Sequence, residues 1–383
     1  MASLPPFYRD LKLGILGGGQ LGRMMLRAGL DLNILPAVLD PSPEAPAQAF
    51  AHPFVIGDFK DEQTVLDFGR DKHVITIEIE NVNTGALQQL AADGVRVYPQ
   101  PHVLALVQDK GAQKQFYVEK GYPTSPFRLV DEPNSLTPEQ VVFPSVLKLR
   151  RAGYDGRGVL MLHEPDDLAQ AFDAPCVLED AVAIQAELAV IVARNPSGQV
   201  ATYPVVQMAF HPTANLVTYL FAPAEVDVEL QREAQKMAIQ LIEDLDMVGL
   251  LAVEFFVDQA GKLLINEIAP RVHNSGHHTL GANHTSQFEQ VLRAVLDLPL
   301  GSTRQNMPAV MVNLLGAEGY SGPPVYQGIE DVLALPGCRV HLYGKAETRP
   351  LRKMGHLTIL HPDLAQAKAY AEQAQAALLI RTE

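Results

Sequence analysis

The chain has 383 residues, 47% hydrophobic and 19% charged, which suits two or three folded domains and argues against disorder. A net charge of −14 argues against nucleic acid or an anionic membrane as the main partner, although it leaves room for a local basic pocket. Cys176 and Cys338 stand alone and give no disulfide framework, Met1 to Asp10 lacks a signal-peptide pattern, and no apolar run reaches the ~18 residues of a membrane span. The expected location is therefore the cytoplasm.

Residues 11–16 read as a short apolar strand, 17–22 as a glycine turn and 23–28 as the start of a helix. Further strands are predicted at 35–40 and 73–80. Strands alternating with helices imply a parallel sheet that takes ligands beyond its C-terminal strand ends. The turn, GGGQLG, matches G-x-G-x-x-G, whose backbone N–H groups and helix N-terminus can meet a phosphate. Asp40 stands about 20 residues on, where a dinucleotide site wants an acid. A nicotinamide-dependent oxidoreductase is therefore one open reading, and a tight turn serving only packing is another.

A second region opens near Asp109-Lys110, with a helix through 113–116 that stops at Gly121-Tyr122-Pro123. Residues 144–149 form a strand, 150–157 a glycine-containing loop, 158–162 the returning strand and 177–180 another. The loop Gly153-Tyr154-Asp155-Gly156-Arg157-Gly158 is no Walker loop, but a hairpin with a glycine tip can close over ATP phosphates as a flap. Lys148 would give those phosphates a point charge, unless it is simply a solvated surface lysine. Between Glu179 and Glu187 a strand end offers backbone groups to an adenine edge, and Glu187 a carboxylate to ribose hydroxyls. A solvated Glu187 is the alternative.

The third region begins near 186, with strands at 188–193 and 200–206 and an amphipathic helix at 229–244. Two apolar, β-favouring runs then carry Glu254 and Glu267, joined by the turn Asp258-Gln259-Ala260-Gly261-Lys262. Adjacent antiparallel strands would set the two acids side by side. Two carboxylates and the Asn266 amide oxygen suit a hard Mg²⁺ that keeps its other positions for nucleotide phosphates. Arg271, His273 and Asn274 follow with charge and hydrogen bonds for an anion. His273 and His277 have zinc-like spacing, but Asn274-Ser275-Gly276 disfavours the helix such a pair needs. A helix at 287–296 and a strand at 338–343 lead to the basic stretch 344–355. There Lys345, Arg349, Arg352 and Lys353 form either a clamp for a phosphorylated substrate or a solvated charged loop.

Together these segments resemble the ATP-grasp superfamily and, within it, the N5-carboxyaminoimidazole ribonucleotide synthetases of purine biosynthesis. The resemblance is carried by GGGQLGRM at 17–24, TIEIE at 76–80, GYDGRG at 153–158, NEIAPRVHNSGHHT at 266–279 and KMGH at 353–356. It implies an α/β and α+β fold of three domains: an N-terminal parallel-sheet domain at 1–107, a small lid domain at 108–185 and a C-terminal domain with an antiparallel sheet at 186–383. It implies a homodimer that uses ATP, Mg²⁺ or Mn²⁺, bicarbonate and 5-aminoimidazole ribonucleotide, and that makes the N5-carboxylated ribonucleotide through carboxyphosphate.

By resemblance, Lys110, Lys148 and the flap Gly153–Gly158 hold ATP phosphates, while Glu179 and Val182 form the adenine edge. Glu187 takes the ribose, His211 contacts the nucleotide, and Glu254 and Glu267 bind the metal beside Asn266. Arg271, with His273 and Asn274, holds bicarbonate and carboxyphosphate. Gln20, Leu21, Glu78, Tyr154 and Asp155 line the ribonucleotide side, and Lys345, Arg352 and Lys353 clamp its phosphate. Ala152 replaces a family glycine, which should slightly stiffen the flap, and the segment around 207–211 departs from the family pattern. Another ATP-grasp ligase, such as a formate-dependent glycinamide ribonucleotide transformylase, and a non-catalytic nucleotide-binding protein are the remaining readings.

Overall fold

A computed structural model of the chain describes residues 10–151, 158–210 and 217–383. Ala152, the flap residues Gly153, Tyr154, Asp155, Gly156 and Arg157, and His211 lie outside the described residues.

Strands β1 (Leu13–Leu16), β2 (Ala37–Asp40), β3 (Phe54–Ile56), β4 (Val74–Ile77) and β5 (Arg96–Val97) form a parallel sheet in the order β3-β2-β1-β4-β5. β1, β2 and β4 are buried at every position, as parallel strands covered on both faces must be. The order reverses between β1 and β4, and the crevice beyond that reversal receives the glycine turn, Glu78 and Glu80. β3 and β5 were not foreseen because each is only two or three residues long.

β6 (Phe127–Val130), β7 (Ser145–Leu149), β8 (Val159–Leu162) and β9 (Cys176–Asp180) form a small antiparallel sheet, ordered β6-β9-β7-β8. Val146 pairs with Glu179 and Lys148 with Val177, so Lys148 and Glu179 are diagonal neighbours on one face.

The large sheet takes β10 (Ile184–Arg194), β11 (Val200–Thr202), β12 (Val206–Phe210), β13 (Val217–Ala222), β14 (Gly249–Asp258), β15 (Leu263–Ala269), β16 (Ala309–Leu315), β18 (Cys338–Leu342) and β19 (Lys353–Leu360). Between β16 and β18 lies β17 (Val325–Gln327), which pairs separately with β20 (Leu379–Arg381). The order is β15-β14-β10-β12-β13-β16-β19-β18, with β11 beside β10. The single strand expected at 200–206 is two strands, because Pro204 cannot continue a central ladder. The basic stretch read at 344–355 divides after Arg352. Lys353 opens β19 and is held by a sheet.

Leu188, Val190, Val253 and Phe255 pack on one face with residues of the helix Val228–Asp244. Ile191, Leu250 and Ala252, on the other face, meet Met24 and Met25 of helix Gln20–Asp31 and Phe288 and Val291 of helix Gln287–Val295. Each such side chain contributes about 1.5–3 kcal/mol when fully buried. The N-terminal sheet therefore shares a core with the large one.

At that junction His341 stacks on His356 and His277 lies tilted against it, with ring centroids 4.6 Å apart at each step, and the Tyr343 hydroxyl lies 3.0 Å from His356 Nδ1. Burial pushes His277 and His356 well below the ordinary histidine value of 6.5, and His278 and His341 to about 4. These rings stay neutral in the fold and take up protons once unfolded below pH 6.5. Their contribution is therefore complete above that pH and is lost as pH falls toward the folded values. We expect Tm to drop from pH 6.5 to 4.5, with proton uptake on unfolding at pH 5.5 measured by calorimetry in buffers of different ionisation enthalpy. A flat Tm with no proton uptake would contradict this.

Candidate active site

Asp109 accepts hydrogen bonds from the N–H groups of Gly111 and Ala112 and so caps the helix Lys110–Glu119. It also takes a two-point contact from Arg150, at 3.0 and 2.7 Å. This ties the helix start to the end of β7 and aims Lys110 at β15, where its ammonium pairs with Glu267.

β14 and β15 are the expected hairpin. Asp258 Oδ1 accepts from the N–H groups of Ala260 and Lys262, and Gly261 takes φ +77° in the turn. Glu254 stands directly opposite Glu267. The register then slips, with Phe255 opposite Ile265, so Asn266 is the extra residue of a β-bulge. A bulge re-aims side chains that would otherwise alternate between faces. Asn266 Oδ1 accepts from Lys148 at 3.0 Å while its neighbour Glu267 meets Lys110, so consecutive residues serve one cleft.

Glu267 keeps 43% of its side chain exposed and Glu254 13%. The Lys110 ammonium holds the Glu267 carboxyl low. Burial, and then the charges of Glu267 and Glu187, push the Glu254 carboxyl up. The two opposed carboxylates present hard oxygens, the donor type Mg²⁺ takes. Among the described residues no group of three or more His, Cys, Asp or Glu side chains could hold a metal alone. A cation here would draw its other donors from phosphate and water.

Glu187 lies on the same sheet face, one step diagonal from Glu254, and burial pushes its carboxyl up to about 7. The Glu179 carboxylate is 3% exposed and already accepts from Ser125, at 2.7 Å, and Lys148, at 3.2 Å. Of the backbone that follows, the Asp180 and Ala181 N–H groups already donate to Pro126 O, at 3.0 Å, and Pro144 O, at 3.2 Å, so an adenine edge would not use those two donors. Gly158, at φ +74°, leads into β8 beside this face.

Ser275 N–H donates to His273 Nδ1 at 3.3 Å, which leaves Nε2 to face Glu254 at 3.4 Å. Gln287 grips the His273 backbone twice, accepting from its N–H at 2.8 Å and donating to its carbonyl at 2.7 Å. Asn274 and Asn313 exchange amide hydrogen bonds at 2.8 and 3.1 Å. Arg271 donates to Val272 O at 2.9 Å and meets Glu80 at 2.7 Å across the interface with the N-terminal sheet. The basic cluster borders this loop: Lys345 donates to Lys353 O at 2.7 Å, Arg352 to Glu347 O at 2.7 Å, and the Lys353 charge reaches Glu254.

Of the two roles left open for the glycine turn, the contacts favour the packing one. Gly18 N–H donates to Asp40 at 2.7 Å, and Gly19 and Gly22 each donate to Glu78 at 3.0 Å. A Cβ on Gly17, at φ +98°, would come within 2.6 Å of Glu78 Cγ, and one on Gly19 within 2.8 Å of its Oε1. These glycines admit a buried carboxylate, and their N–H groups are already engaged. Asp40 is likewise held by Gly18 and Ser42. The dinucleotide reading loses both its phosphate donors and its ribose acid. Gln20 and Leu21 open the helix beside Glu78, half-buried and buried respectively.

Sequence reasoning missed Glu80, Lys114, Gln287 and Asn313. TIEIE contained Glu80 without singling it out; the others have partners on distant elements and no local signal.

Residues 115–288 match the ATP-grasp domain family, 11–108 the ribonucleotide synthetase preATP-grasp domain, and 309–370 the phosphoribosylaminoimidazole carboxylase C-terminal domain. Fold and site thus define an ATP-grasp ligase. N5-carboxyaminoimidazole ribonucleotide synthase of Synechococcus elongatus is 41% identical over 96% of this chain and 93% of its own. The crystal structure of the synthetase from Thermotoga maritima superposes with a TM-score of 0.91 at 40% identity, covering 97% of this chain and all of that one. That of the Aspergillus clavatus enzyme in complex with ADP and 5-aminoimidazole ribonucleotide gives 0.88 at 32% identity, covering 97% and 99%. The chain belongs to the N5-carboxyaminoimidazole ribonucleotide synthetase family.

Proposed function

We infer that the protein carboxylates 5-aminoimidazole ribonucleotide with bicarbonate, converting ATP to ADP and phosphate in purine biosynthesis. The observation that carries this is the bulge at Asn266. It turns Asn266 and Glu267 into one cleft with Lys110 and Lys148, with Glu254 opposite Glu267 and the Lys353 charge in reach.

Lys110 and Lys148 bind the phosphates, Glu179 and Val182 form the adenine edge, and Glu187 takes the ribose. Glu254 and Glu267 would hold Mg²⁺ or Mn²⁺, which when bound supplies positive charge to the phosphate oxygens. Bicarbonate is a poor electrophile, and phosphorylation to carboxyphosphate activates it. Arg271, the His273 Nε2–H and Asn274 orient that anion and stabilise its charge. Lys345, Arg352 and Lys353 hold the ribonucleotide phosphate, and Gln20, Leu21 and Glu78 the remainder; each Glu78 oxygen keeps a second lone pair beyond its glycine contact. Tyr154, Asp155 and His211 keep the roles the family implies.

We further read the chain as a homodimer of the cytoplasm, with domains at 1–107, 108–185 and 186–383. No helix of the described residues is long and apolar enough to cross a membrane.

The test is ADP release with Mg²⁺-ATP and bicarbonate, with and without the ribonucleotide. Strong stimulation with carboxylated product is expected; ADP release indifferent to the ribonucleotide would point to another acceptor. Lys353→Ala is expected to raise KM for the ribonucleotide by about tenfold or more, and KM for ATP much less. An equal rise in both would contradict the clamp.

A further inference from the structure

Lys114 lies one helical turn after Lys110 and is only 3% exposed. Its ammonium contacts three oxygens: Thr124 Oγ1 at 2.7 Å, Ser125 Oγ at 2.9 Å and Glu179 Oε2 at 3.3 Å. The same Glu179 oxygen accepts from Lys148 at 3.2 Å. Two ammonium groups thus share one buried carboxylate.

Burying an ammonium costs several kcal/mol, and a core built for stability alone would hold one lysine per glutamate or none. Lys110 does not alter the count, because Glu267 pairs with it. Burial lowers the Lys114 pKa to about 8, which leaves it charged near neutrality. Burial acts to raise the Glu179 carboxyl, but Lys148 and Lys114 together hold it below its ordinary value. Thr124, which Lys114 contacts, in turn donates to Ile265 O at 2.7 Å, next to Asn266, so the charge is fixed against the bulge.

We propose that Lys114 is a positioning residue of the nucleotide site: its buried charge occupies Glu179, so that Glu179 does not cancel Lys148 and a net positive charge is left for the phosphates. The inference rests on the ATP-binding reading above. Without Lys114, Glu179 and Lys148 would form a neutral pair, and phosphate would have to compete with the carboxylate for Lys148.

The test is calorimetric titration of the full chain with Mg²⁺-ADP. Lys114→Met is expected to weaken binding by about tenfold. Adding Glu179→Gln removes the unbalanced carboxylate and is expected to restore affinity to within about threefold of wild type. A packing role predicts the reverse, with the double variant as weak as the single or weaker. That result, or a Lys114→Met affinity equal to wild type, would overturn the proposal. If Lys114→Met fails to fold by circular dichroism, the double variant decides against wild type: equal affinity supports the proposal, and a tenfold loss overturns it. Wild type that binds no Mg²⁺-ADP would overturn the nucleotide reading itself, a distinguishable result.

Discussion

Glu267→Gln is expected to lower kcat by about a hundredfold to a thousandfold or more while the protein stays folded. The amide keeps the volume of the side chain and can still accept from Lys110. Nearly half of this side chain is exposed, so the lost ion pair should change stability by no more than about 1 kcal/mol. The variant lacks a full charge opposite Glu254, and with it one of two hard carboxylates for a cation. Circular dichroism and Tm check the fold, and ADP release checks turnover. Near-normal kcat would remove the metal assignment.

Arg271→Leu should lower kcat by about a hundredfold with KM for ATP changed far less. Its guanidinium bridges the carbonyl of Val272 and the carboxylate of Glu80, so it is held in place before any anion arrives. Arg271→Lys should recover only part of the activity, because a point charge cannot keep both contacts and also face an anion. A variant with unchanged kcat and a raised KM for ATP alone would place Arg271 with the nucleotide.

The acidic hairpin was legible because its strands, ten and seven residues long, are apolar and flank a turn rich in Asp and Gly. Period-2 alternation then fixes which residues face one another. The bulge was not legible: one extra residue changes no composition, yet it decides that Asn266 and Glu267 share a cleft. The glycine turn was recognised as a turn, with a phosphate-binding role and a packing role both left open. Its pattern records only that something polar approaches closely, and Glu78, 59 positions from Gly19, is that group. Lys114 was invisible for the same reason. In KGAQKQF it resembles any solvated helix lysine, and its partners come from the following loop and from β9. Residue types and spacing thus announced the chemistry, while the contacts that tune it depend on elements far apart in the chain.

The central claim is that ATP activates bicarbonate here for transfer to an amine. Its most direct test is turnover with ¹⁸O-labelled bicarbonate, Mg²⁺-ATP and 5-aminoimidazole ribonucleotide, followed by mass analysis of the released phosphate. The account predicts one bicarbonate oxygen in each phosphate, formed in step with carboxylated product. Phosphate carrying only solvent oxygen, at the same rate with or without the ribonucleotide, would contradict it.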